Sequence, residues 1–121
     1  MNEDNRVIAE FMGLELSVFD DSPKNFSSLK HYKNELKYHS SWEWLMPVVE
    51  KIEKIFDEHD GYYGVYISSN SCSIEGTLLH KALKDSAYGA VYYNQVVLED
   101  KLSSTYQAVV MFIKWYNAKQ K

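Results

Sequence analysis

The sequence predicts an α+β domain, with three main helices packed on a small antiparallel sheet of about three strands and helices covering at least one sheet face. Three stretches carry that prediction. Residues 40–56 (SSWEWLMPVVEKIEKIF) place Trp42, Leu45, Val49, Ile52 and Phe56 at spacings of three and four, one continuous apolar stripe on a helix. Residues 62–69 (YYGVYISS) alternate with a period of two, sending Tyr63, Val65 and Ile67 one way and Tyr62, Gly64, Tyr66 and Ser68 the other. Near the C-terminus the helical period returns with Tyr106, Val109, Val110, Ile113 and Tyr116, flanked by Phe112. At 121 residues the chain is long enough for one domain over 1–121 with its own core.

The elements follow in order. Residues 3–12 read as a short helix with Val7, Ile8, Phe11 and Met12 on one edge, Asn2 placed to cap it, and Gly13 placed to close it in a left-handed conformation. Leu14, Leu16 and Val18 alternate with polar residues as a brief strand. From Asp20 to His39 the periodicity fades into turn chemistry around Asp20, Asp21, Ser22 and Pro23. The organising helix then starts at Ser40 or Ser41, with Glu43 completing a capping-box pattern. Pro47 conflicts with it: either the helix runs through Pro47 and kinks, or a 3₁₀ turn occupies 41–46 and the main helix opens on the proline.

After the strand at 62–69, Asn70 and Ser71 read as a turn and Cys72 and Ile74 as the return strand of a hairpin. Gly76 is expected to break that strand, residues 77–83 to form a short helical turn, and residues 85–89 a loop. Residues 90–98 (AVYYNQVVL) read as the third strand. The last helix is expected to start at Ser104, with Gln107 three positions on, and to fray from Asn117.

Composition narrows the function classes. The net charge of −4 argues against duplex nucleic acid as partner. The single cysteine rules out a disulfide within this chain, and the N-terminal residues carry no signal-peptide pattern, so a cytoplasmic location is expected. No apolar run is long enough to span a membrane. Aromatic residues make up 15% of the chain, an excess that suits cores, sheets and recognition surfaces.

Motifs for chemistry are scarce. The five glycines form no phosphate-cradling loop, and no His or Cys pair has zinc spacing, so no cofactor and no metal is expected. Cys72 with His80 as base is weighed as a nucleophile, but Cys72 shares the parity of Ile74 and is expected on an apolar strand face. The serines around Cys72 lack a His-Asp partner arrangement. Two binding surfaces remain. Tyr62 and Tyr66, with Tyr92 and Tyr93 adding from the third strand, make a tyrosine-bearing sheet face, read either as a recognition surface or as a half-buried layer that the helices cover. The segment 24–39, with Lys24, Lys30, Lys33, Lys37, His31 and His39, is the one basic stretch, read as a solvated loop or as a contact for a phosphate or an acidic partner.

The stretches NRVIAEFMG, SSWEWLMPVVEKIE and YQAVVMFIKWYN, with the hairpin GVYISSNSCSI between them, resemble small proteins of phage and prophage genomes, the phage ABA sandwich domain group. The resemblance covers about half of the chain and rests on core-type residues. It implies helices packed with a small antiparallel sheet, and it implies no enzymatic activity, cofactor or site residues. The segment 77–98 departs from that pattern as an insertion before the last helix.

The expectation is therefore a small cytoplasmic, non-enzymatic binding protein of phage type. It would contact a protein or a small ligand through Tyr62, Tyr66 and Tyr92. The alternatives are an anionic nucleotide or phosphate ligand held by Lys33, Lys37 and His39, as a sponge or hydrolase, and a homodimer pairing through an exposed strand edge.

Overall fold

The computed structural model describes residues 3–14, 36–58, 63–78 and 90–120. Its elements run α1 (Glu3–Phe11), α2 (Trp42–Asp57), β1 (Tyr63–Ile67), β2 (Ser71–Leu78), β3 (Ala90–Val97) and α3 (Lys101–Lys119). The strands form an antiparallel meander in the order β1-β2-β3, so the α+β class and the helix and strand numbers are as expected. The expected cap at Asn2, the strand at 15–18, most of the 20–39 loop, Tyr62, and the 79–89 turn and loop lie outside the described residues.

All three helices gather on one side of the sheet around a shared core. α2 supplies Leu45, Val48, Val49, Ile52, Ile55 and Phe56, and α3 supplies Tyr106, Ala108, Val109, Val110, Phe112 and Ile113. The sheet answers with Cys72, Ile74, Leu78, Tyr92 and Val96, all of one parity. α3 lies over β2 and β3, α2 reaches β1, and α1 packs on α3, with Ile8 and Ala9 buried and the Phe11 ring edge-on to Tyr116. Lys51 of α2 also donates to the Phe11 carbonyl at the end of α1. Gly13 follows with φ +86, the left-handed residue expected there.

α2 runs unbroken through Pro47, so the 3₁₀ alternative does not occur. Pro47 carries no amide to bond the Glu43 carbonyl one turn earlier, and both residues are exposed. Ser41 is the N-cap, and its backbone carbonyl takes the Trp44 and Leu45 amides while its side chain makes no capping bond.

Two boundaries differ from expectation. Gly76 does not end β2, which continues to Leu78 because the missing side chain leaves room for the Phe56 ring on the covered face. α3 opens at Asp100, not Ser104: the Asp100 Oδ1 accepts from the Ser103 amide at 2.8 Å, with its charge at the positive helix end. Ser104 sits buried within the first turn and ties the helix to the sheet. It donates to the Asn70 carbonyl at 2.7 Å and accepts from the Leu98 amide at 2.9 Å. Helix geometry continues past Asn117 to Lys119. Among the described residues no helix is long and apolar enough to cross a membrane.

Candidate functional site

Register decides which side chains share the uncovered face of the sheet. Gly64 pairs with Glu75, which pairs with Tyr93; Tyr66 pairs with Ser73, which pairs with Gln95; Thr77 pairs with Val91, and Ser71 with Val97. None of these positions contributes to the buried core. An antiparallel sheet facing water normally shows polar residues outward. Here Tyr66 is 56% exposed, Tyr93 60%, Val91 79% and Val97 59%.

The tyrosine-bearing face expected from the sequence is thus open to solvent at Tyr66, and its partner from β3 is Tyr93. Tyr92 points the opposite way, into the helix layer, where its ring meets Trp115 at 4.7 Å and Phe112 at 5.2 Å. Burial pushes its phenol pKa up, and a hydrogen bond from Asn94 Nδ2 at 2.6 Å holds it back in part. The reason is parity: adjacent residues of a strand cannot share a face.

Local packing shapes the open face. A Cβ on Gly64 would collide with the Tyr66 ring, which therefore lies folded back over Gly64 on the open side. That brings the Tyr66 ring into the cross-strand row of Glu75 and Tyr93. Tyr93 makes a long 3.4 Å hydrogen bond from its hydroxyl to Gln95 Oε1. Tyr63, Tyr66, Glu75, Thr77, Val91 and Tyr93 line a shallow concavity of about 350 Å³. Glu75 is exposed and has no ion pair among the described residues. Sequence reasoning missed Glu75. Its signal was available as the parity opposite to Cys72 and Ile74, but an assumed strand end at Gly76 hid its cross-strand neighbours.

The basic segment resolves differently. Lys24, Lys30, His31 and Lys33 lie outside the described residues. Leu36 and Tyr38 are buried in the core, while Lys37 is half-buried and His39 is exposed, so the end of this segment is packed at alternate positions. Tyr38 packs edge-on against Trp44 at 5.1 Å, and burial pushes its pKa up to about 12. The carbonyl of Lys37 closes the turn onto the Ser40 amide. His39 faces a structural partner: the buried Asn5 donates from Nδ2 to the Leu36 carbonyl at 3.2 Å and to His39 Nδ1 at 2.8 Å. A carbonyl can only accept, which fixes the orientation of the Asn5 amide and makes His39 Nδ1 the acceptor. Asn5 Oδ1 accepts from the Tyr106 hydroxyl at 3.0 Å, completing a tie between α1, the 36–40 turn and α3. An Asp4–Lys114 ion pair of 3.1 Å lies on the surface nearby.

Two buried polar groups lie beneath the sheet. Asn94 donates to the Ala108 carbonyl at 3.0 Å, while its Oδ1 is buried without a partner. The Cys72 thiol is fully buried, and burial pushes its pKa up. The Thr105 hydroxyl favours the thiolate in part without reaching hydrogen-bond geometry. A thiol in that setting is a poor nucleophile, and His80 lies outside the described residues. Among the described residues no three His, Cys, Asp or Glu side chains cluster to hold a metal ion.

No family model, curated protein or solved structure matches this chain.

Proposed function

We propose that this chain is a small cytoplasmic, non-enzymatic binding protein of phage or prophage type that presents the open face of its sheet to a protein partner. What supports the reading is one observation: Tyr66, Tyr93, Val91 and Val97 stand exposed on one face of a sheet whose other face carries the helix-covered core. Tyrosine offers a large amphipathic contact at low cost in side-chain entropy, and a grouped apolar patch is a commoner mark of an interface than scattered exposed residues. The phage attribution rests on the resemblance of the helical core stretches alone.

The test is amide-resolved NMR of the protein against a panel of short peptides and metabolites. Saturable shifts grouped at Tyr66, Ser73, Glu75, Tyr93 and Gln95 are the expected result. Shifts confined to other surfaces, or chemical turnover of any panel member, overturn the reading.

A second reading is a homodimer formed through β3. It is favoured by the composition of that edge strand, AVYYNQVV, which is eight residues long without a charge or a proline to deter pairing. A two-fold axis at Asn94 would set Val91 opposite Val97 of a second copy. Sedimentation as a monomer at millimolar concentration excludes it.

A further inference from the structure

We infer that the slot between the rings of Tyr66 and Tyr93, floored by Glu75, takes the cationic side chain of an arginine or lysine offered by a protein partner. The inference rests on the open-face reading above and names the chemistry of its partner. Three observations meet at this slot.

The first is arrangement. Gly64, Glu75 and Tyr93 form one cross-strand row, and Gly64 leaves its place to the ring of Tyr66. A carboxylate on the central strand is thereby flanked by an aromatic ring on each outer strand. Two inter-strand spacings separate β1 from β3, about 10 Å. A cation above Glu75 then lies about 5 Å from either ring, inside the ~6 Å reach of a cation–π contact.

The second is charge. Among the described residues of the open face Glu75 is the only charged side chain, and it has no ion pair there. A neutral partner lying on Tyr66, Tyr93 and Val91 would strip water from the carboxylate and leave it unpaired. An anionic partner would be repelled. A cation is the one class of group that turns the cost of covering Glu75 into an attraction, so the residue selects against the other two.

The third is extent. The concavity is shallow and takes in the exposed Val91, and the exposed apolar surface runs on beyond it to Val97. A small free ammonium would leave that surface uncovered, whereas a polypeptide delivers a cation and apolar neighbours together. A guanidinium also matches both elements of the slot, since it stacks on aromatic rings and pairs with a carboxylate.

The test uses the full chain and three acetylated, amidated peptides: Ala-Val-Arg-Val-Ala, its lysine counterpart, and its citrulline counterpart, which keeps the shape of arginine without the charge. The arginine peptide is expected to shift the amides of Tyr66, Glu75 and Tyr93 saturably, with the citrulline peptide at least about fivefold weaker. Glu75→Gln, an isosteric change on an exposed strand position, is expected to remove that preference, and about 0.5 M salt to reduce it. Gly64→Ala is expected to weaken the arginine peptide as well, because the added Cβ expels the Tyr66 ring from the slot. Equal binding of the arginine and citrulline peptides overturns the cation assignment while leaving open-face recognition standing. An arginine preference unchanged in Glu75→Gln, or no shift at this slot with any peptide, overturns it too.

Discussion

Each face of the sheet has one glycine covered by an aromatic ring, and the two pairs behave as opposites. On the covered face the Phe56 ring of α2 lies over Gly76, stacked on Tyr63 at 6.0 Å and packed on Phe112 at 5.3 Å. On the open face the Tyr66 ring lies over Gly64 from its own strand and stands largely in water. The first arrangement is held by a helix and by neighbouring rings on several sides. The second is held by local backbone geometry alone. The same local device therefore serves stability where a second layer meets it and leaves an exposed, contact-ready ring where none does.

Substitutions at the two pairs separate these roles. Phe56→Ala should cost about 3–5 kcal/mol, because a fully buried ring leaves a cavity among Phe112, Tyr63 and Gly76. Urea denaturation measures it, and a loss below about 1 kcal/mol would mean that the covered face is not packed as described. Gly76→Ala should cost about 1–3 kcal/mol by overpacking against the same ring.

Alkaline pH probes the covered side through Tyr38. Its phenol ionises near 10.0 in the unfolded chain and only at about 12 when folded. The folded state therefore holds its proton longer, and stability should be fully present below pH 10 and fall by about 2 kcal/mol as pH rises to about 12. Tyr38→Phe should flatten this part of the fall in urea midpoints measured across that window. Tyr92 and Tyr116 are raised in the same direction by burial, so part of the loss should persist in the variant.

On the open face the expected effects are smallest. Tyr66→Ala and Gly64→Ala should each change stability by no more than about 0.5 kcal/mol, since the ring can swing into solvent when displaced. A large loss from either would show that the open face is covered by something in solution, and would redraw the comparison.

The aromatic excess shows how far composition can be read. Most of the described rings form one connected cluster from Phe11 through Tyr116, Phe112 and Phe56 to Tyr63, with Tyr92 and Trp115 joined to Phe112. Among the described residues only Tyr66 and Tyr93 stand mainly on the open face, so there the aromatic residues serve chiefly the core. The helical stripes were legible because a period of 3.6 needs nothing beyond local order. The start of α3 was not, because Ser104 and Asp100 both suit a helix N-terminus, and Ser104 was drawn inside by its bonds to Asn70 and Leu98. The roles of His39 and Asn5 were equally hidden, being set by partners 34 and 101 residues away in sequence.

Short-range periodicity was enough to mark out the three helices, the hairpin, the third strand and the parity that splits each strand into two faces. Tertiary structure decided which face the helices cover, that Gly76 belongs within a strand, and that Tyr66, Glu75 and Tyr93 stand in neighbouring positions. Those outcomes depend on strand register and on where Phe56 finds room. Such long-range pairings are selected by the packing of the whole core, and no window of residues contains them.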